Sequence, residues 1–341
     1  MKILVTGSEG YLGVPLTQAL LRQGYEIVGL DTGFYRDGWL YNGVKKPPIV
    51  IDKDTRKISK KDLIGYDAVI HLGELSNDPL GETDPKTTMD INHRGTVHLI
   101  KMAKEIGVAR FIYFSSCSVY GSSDNIVDEA SPANPLTTYA KCKVLNEKYL
   151  LKQASKTFSP VILRLATAFG PSPKMRFDLV VNNLVGIAFT TGTIKMESDG
   201  SSWRPFIHTE DIGRAVIAVV NSPRQKTHRQ IFNVGSSKSN YQIKDIAVAI
   251  KRVLPDCKVS LNPEGKDKRN YRVGFQKIEA ALPGFKARIS LQDGIEELVK
   301  LFGQINLTRQ MFESKEFIRI KQIKYLLSQN SIDEKYYWKN I

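Results

Sequence analysis

The chain has 341 residues, 42% of them hydrophobic and 25% charged, with a formal net charge of +14. That balance excludes a disordered or collagen-like chain, and no apolar run reaches the ~18 residues that a membrane span needs. The length suits one large domain or two intimate ones, at ~100–200 residues each.

In chain order, short apolar runs alternate with amphipathic stretches, the pattern of βαβ units. Strands are predicted at Ile3–Val5, Glu26–Leu30, Ile49–Ile51, Ala68–Leu72, Arg110–Ser115 and Pro160–Leu165, with helices at Leu12–Gln23, Thr88–Ile106 and Tyr139–Gln153. The expected fold class is α/β, a Rossmann-type doubly wound parallel sheet. After Gly170 the rhythm changes. Helices at Leu179–Phe189, Asp211–Asn221, Lys244–Val253 and Leu291–Phe302 are separated by short strands and Pro/Gly-bearing loops. This reads as a cofactor domain over 1–170, a smaller α/β substrate domain over 171–303 and a helical extension over 304–341.

The apolar run at Met1–Val5 is too short for a signal peptide, and glycines follow it. Cys117, Cys142 and Cys257 are scattered with no paired spacing, which argues for a reducing, cytoplasmic location and against a structural metal. Basic residues are dispersed and no aromatic-interleaved basic motif occurs, so neither nucleic acid nor membrane is an expected partner. From Lys141 to Arg176 eight Lys/Arg face a single acid, Glu147. That stretch suits a solvated helix face or a positive field over a phosphorylated substrate.

Between the first strand and first helix stands Thr6-Gly7-Ser8-Glu9-Gly10-Tyr11-Leu12-Gly13. Glycines at 7, 10 and 13 permit a tight turn, close approach of a pyrophosphate to the backbone, and close helix–strand packing. The helix N-terminus then offers N–H groups to the anion. Asp31 ends the second strand, where an acid binds the adenosine ribose hydroxyls and repels a 2′-phosphate. NAD is therefore expected over NADP. Asp54, after the next short strand, reads either as an adenine contact or as a solvated loop acid.

Ser115-Ser116-Cys117-Ser118-Val119-Tyr120-Gly121 follows a strand, and Tyr139-Ala140-Lys141-Cys142-Lys143 opens a helix. Tyr139 and Lys143, four apart, share one helix face. An ammonium beside a phenol favours the phenolate, which brings it toward the range of a general base. A strand-end serine can hold the same substrate oxygen.

Together these segments resemble the extended short-chain dehydrogenase/reductases of the NAD-dependent epimerase/dehydratase type. The resemblance extends over about residues 1–300 and includes His71-Leu72-Gly73, Asn92-His93-Arg94-Gly95-Thr96, RLATAFGP and DGSSWRPFIHTED. It implies that Ser116, Tyr139 and Lys143 are catalytic, that Leu72, Gly73 and Ser115 line the cofactor, and that Asn92 ties down the backbone of the site. It also implies a nucleoside-diphosphate sugar as substrate. Asn182, Asn183 and Arg204 fall where the family meets the substrate diphosphate, and Arg269 or Arg272 where a further arginine is expected. A two-fold dimer through the helices Thr88–Ile106 and Tyr139–Gln153 is likewise implied, with apolar Val97, Ile100 and Leu151 outward.

Two departures bear on the reaction. Cys117 and Ser118 stand where similar 4,6-dehydratases look like Asp-Glu, so the carboxylate pair for dehydration is missing. The expected reaction is C4 epimerisation through bound NAD. Alternatives are a net dehydrogenase or reductase, a dehydratase or C5 epimerase using Cys117 as acid–base group, and a non-catalytic nucleotide-binding protein.

Overall fold

The computed structural model describes residues 1–44, 46–76, 78–262, 264–265 and 269–339. A central sheet holds Lys2–Thr6 (β1), Glu26–Asp31 (β2), Ile49–Asp52 (β3), Ala68–His71 (β4), Arg110–Ser116 (β5), Ser159–Leu165 (β6) and Gln230–Val234 (β7). Its order is β7-β6-β5-β4-β1-β2-β3, with every neighbouring pair parallel. The strand order reverses between β1 and β4, and such a switch point opens a crevice at the carboxyl ends of the strands.

Every residue of β4 and β6 is buried, which is why these strands read as apolar runs rather than alternations. Along β1 the side chains part to two layers. Ile3 and Val5 pack with Leu16 and Leu20 of the helix Gly13–Arg22 (α1) and with Ile212 and Val216 of the helix Thr209–Asn221. Leu4 packs on the other face with Leu99 and Ile100 of Thr96–Glu105 (α2) and Leu150 of Thr138–Gln153 (α3). Each such buried side chain contributes about 1.5–3 kcal/mol. Ile100 therefore belongs to the core, not to the outward face expected for it; Leu145 on α3 and Ile106, just past the end of α2, are exposed.

The single helix expected over Thr88–Ile106 is broken into Pro85–Met89, a wide π turn at Asp90–Gly95, and α2. An inserted residue of this kind is invisible to a 3.6-residue periodicity, and it turns Asn92 fully inward. Past residue 170 the chain gives β7 to the central sheet and builds a second layer. There Phe177, Phe206, Ile246, Ile250, Leu298 and Phe302 form a separate core.

The tail folds back on the nucleotide end. Trp338 Nε1 donates to the Thr32 carbonyl (2.5 Å), Gln322 Nε2 to that of Phe34 (3.1 Å), and Arg56 Nη1 to that of Lys335 (2.8 Å). Among the described residues no helix is long and apolar enough to cross a membrane.

Candidate active site

A cavity of about 960 Å³ lies along the carboxyl ends of β1, β4 and β5. Gly7, Gly10, Tyr11, Leu12, Gly13 and Asp31 line one end of it. Gly7 has φ +71°, and a Cβ there would come 2.9 Å from the Gly73 nitrogen; one on Gly13 would come 2.1 Å from the Gly7 carbonyl oxygen. Only glycine fits both positions. No side chain caps α1 and no acid lies in its first turn, so its N-terminus is left for an anion. Asp31 Oδ2 accepts the Glu9 N–H (3.0 Å) and Oδ1 the Gly33 N–H (2.9 Å). Burial nevertheless pushes its carboxyl above the usual range. This cradle of bare backbone beside a half-buried acid fits a dinucleotide.

Leu72 and Gly73 line the cavity as expected positions. Asn92 clasps the backbone of Leu75, accepting its N–H (2.8 Å) and donating to its carbonyl (2.9 Å). Asp54 also reaches the cavity, but its carboxylate holds the Arg56 guanidinium at 2.6 Å, so it presents an ion pair rather than a lone acid. Ser115 lines the wall while its hydroxyl donates to Glu147 (2.5 Å), which in turn pairs with Arg164 at 2.7 Å.

Ser116, Tyr139 and Lys143 all line the same cavity, and the Ser116 hydroxyl accepts the Ser118 N–H (3.1 Å). Thr137 caps α3, its hydroxyl accepting the Ala140 N–H (3.2 Å), and so fixes Tyr139 in the first turn. Lys143 lies one turn on, with Nζ 5.3 Å from the Tyr139 ring centre. Its ammonium donates to the Phe114 carbonyl (2.5 Å) and stands 3.0 Å from Glu74 Oε2.

Glu74 was not anticipated. Its Oε1 accepts from Tyr113 (2.8 Å) and Thr96 (3.2 Å), and its side chain is 1% exposed. Burial works against the Lys143 ammonium, but Glu74 together with Tyr139 and Cys142 outweighs it and holds the group above its ordinary value. Burial also raises the Tyr139 phenol; Lys143 pulls it down and Glu74 pushes it up again. The depression expected from Lys143 alone is thus outweighed in the protein without ligand.

Cys117 corrects one alternative. It is 1% exposed, packs in the apolar core and donates its thiol to the Arg164 carbonyl (3.3 Å). Burial drives that thiol well above its usual range, and the side chain does not line the cavity. A thiol so placed is no acid–base group. Ser118 lines the cavity instead, with a hydroxyl that has no hydrogen-bond partner among the described residues.

At the far end stand Asn183, Arg204 and Arg269. Arg204 lies 5.1 Å from the Tyr271 ring, and Arg269 pairs with Asp78 at 2.6 Å. Asn182, expected beside Asn183, is instead fully buried. Its amide bonds the Gly170 N–H, the Tyr11 hydroxyl and the Arg176 carbonyl, each at 3.1 Å. Neighbours on a helix point ~100° apart, so only one of the pair faces the cavity. Arg272 also points elsewhere, donating to the Asp124 carbonyl (2.7 Å).

The family model for the NAD dependent epimerase/dehydratase family matches residues 3–235. The UDP-glucose 4-epimerase of Mycolicibacterium smegmatis is 27% identical over 320 residues, covering 89% of this chain and 98% of its own length. The UDP-glucuronate 4-epimerase of Thermodesulfobacterium geofontis is 26% identical over 315 residues, covering 87% and 94%. Among solved structures, the UDP-glucuronic acid 4-epimerase of Bacillus cereus, in complex with UDP-glucuronic acid and NAD, superposes with a TM-score of 0.78 at 25% identity. It covers 89% of this chain and 100% of its own. An NAD-dependent NDP-hexosamine 5,6-dehydratase of tunicamycin biosynthesis gives 0.79 at 23% identity and 89% and 98% coverage, which shows the shared fold. With a match across two thirds of its length and a cavity shaped for the dinucleotide, the chain belongs to the NAD-dependent epimerase/dehydratase family and is an NAD-dependent enzyme of the extended short-chain dehydrogenase/reductase type.

Proposed function

We propose that the chain is a nucleotide-sugar 4-epimerase acting by transient oxidation at C4. Tyr139 takes the proton of the C4 hydroxyl and later returns it, Ser116 holds the oxygen by hydrogen bond, and Lys143 supplies the positive charge beside the phenol. NAD, when bound, supplies the acceptor and the returning donor of the hydride, and a positively charged ring near the phenol. Gly10, Tyr11, Leu12 and Asp31 hold that cofactor in place. Arg204 and Arg269 bind the diphosphate of the sugar nucleotide, since a guanidinium fork engages two oxygens at once, and Asn183 adds an amide.

The observation that carries this reading is the wall after β5. Position 117 turns a thiol into the core and position 118 offers only a hydroxyl, so no carboxylate pair stands there to eliminate water. Ser116, Tyr139 and Lys143 suffice for oxidation and its reversal. Incubating the enzyme with UDP-glucose, UDP-glucuronate and their C4 epimers tests it. An unchanged mass with inverted C4 is expected. Loss of water, or a change of two hydrogens, would contradict it.

The same reading includes a closed homodimer through α2 and α3, where Leu145 is 40% and Ile106 37% exposed. Light scattering should return about twice the 38.3 kDa of one chain, and a monomer mass would overturn the dimer. A cytoplasmic location fits three buried cysteines, all free.

A further inference from the structure

We propose that Arg319, in the C-terminal extension beyond the family match, is a cofactor-binding residue that engages the NAD diphosphate in addition to the glycine loop. Arg319 opens the helix Arg319–Ser328, is 5% exposed, and lines the same cavity as Gly10 and Leu12. Its guanidinium lies 4.0 Å from the Tyr35 ring centre, and its backbone N–H donates to Asp178 Oδ2 (3.4 Å). Among the described residues, no hydrogen-bond acceptor is found for the guanidinium itself.

The charge there is out of balance. Arg176, also 5% exposed, pairs with Asp178 at 2.9 Å and donates to Ser76 Oγ (2.9 Å). Two guanidiniums thus share the Asp178 carboxylate within a buried wall, with Asp31 a weaker counter-charge to Arg319. A buried cation is costly unless paired and hydrogen-bonded. Burial, and Arg176 beside it, push the Arg319 guanidinium down to about 10, which still leaves it charged at neutral pH. Such a group calls for an anion.

Its place in the cavity says which one. Tyr35, on which Arg319 stacks, lies four residues beyond Asp31, at the adenosine end. Arg176 touches Ser76, lowers the Tyr139 phenol, and so belongs to the chemical end. A dinucleotide with its ribose on Asp31 and its reactive ring at Tyr139 must carry its diphosphate between the two. A guanidinium fork matches phosphate oxygens bidentately. The second source of the same chemistry is the diphosphate of the sugar nucleotide, which the test separates. Nothing here depends on which reaction the sugar undergoes.

The test is calorimetric titration of full-length protein stripped of nucleotide, comparing wild type with Arg319→Gln. NAD and ADP-ribose should weaken by about 10- to 100-fold, the worth of a hydrogen bond to a charged group. Adenosine, measured by competition, and UDP should stay within about twofold. Arg319→Lys, which keeps the charge but loses the fork, should show a smaller loss of about 3- to 10-fold on the same two ligands, and it carries the test should the glutamine variant not fold. A loss of less than about fivefold for NAD in Arg319→Gln, or none in Arg319→Lys, overturns the proposal. So does equal weakening of adenosine, which means the loop has collapsed, or weakening of UDP in place of NAD.

Discussion

At the cofactor end of the cavity the backbone makes the site: Gly7 and Gly13 bring chain segments so close that no Cβ fits, and α1 leaves its N-terminus uncapped. At the end proposed for the substrate, side chains line the cavity, and they come from far apart. Asn183 sits on the helix Val180–Thr191, Arg204 on the strand Trp203–His208, and Arg269 just before the strand Asn270–Val273. Arg269 is moreover already paired with Asp78 at 2.6 Å, so a ligand must compete for it. A backbone-built site resists substitution and serves one ligand, whereas a side-chain-built site can be retuned residue by residue.

Between the ends lies the chemistry, and the largest effect belongs there. Tyr139→Phe should lower turnover by ~10²–10⁴ while NAD affinity stays within a fewfold, because only the proton acceptor is removed. Steady-state rates with a parallel NAD titration check this; a variant retaining a third of wild-type activity would remove Tyr139 from the mechanism.

The cofactor end should discriminate sharply. NAD should bind roughly 10–100 times better than NADP, whose 2′-phosphate meets the Asp31 carboxylate, and Asp31→Ala should narrow that gap from the NAD side. Equal affinities in the wild type would void the role given to Asp31.

The substrate end should respond unevenly. Arg204→Ala should weaken UDP binding by roughly 10- to 100-fold. Arg269→Ala should cost less, roughly 2- to 5-fold, since freeing Arg269 from Asp78 already offsets part of its gain. Calorimetry on both variants measures the difference; equal losses would show that the Asp78 pairing has no bearing on the ligand.

Glu74 gives the smallest and most diagnostic effect. Tyr139 is faced by Lys143 and Arg176, which lower its phenol, and by Glu74 and Asp78, which raise it. Glu74→Gln removes one raising charge, so the phenolate forms at lower pH. The rising limb of the rate profile should shift acidward. An unmoved or alkaline-shifted limb would show that Glu74 only packs.

The fold was largely legible because its signals are local. Apolar runs at Ala68–His71 and Ser159–Leu165 announce strands covered on both faces, and three spaced glycines after a strand announce the turn. That Tyr139 and Lys143 stand side by side was legible because a four-residue spacing on one helix fixes geometry without tertiary knowledge. What escaped depends on long-range packing. Nothing near position 74 signals that Glu74 will reach Lys143, and Asn182 cannot be told from Asn183 until the helix is rotated onto Tyr11 and Gly170. Cys117 reads as a thiol at a strand end, and only the packed core shows it turned toward the Arg164 carbonyl. Arg319 lies in a tail with no motif, and its meaning comes only from the surface on which that tail folds.

The central claim is that hydride leaves C4 of the sugar and returns to C4, with no carbon–hydrogen bond elsewhere disturbed. A nucleotide sugar deuterated at C4, turned over by enzyme carrying its own NAD and followed by NMR and mass, tests this most directly. Epimerisation through bound NAD gives an epimer of unchanged mass that keeps its deuterium at C4 and takes up no hydrogen from solvent at C5. Deuterium lost to free reduced cofactor, or solvent hydrogen appearing at C5, would contradict it.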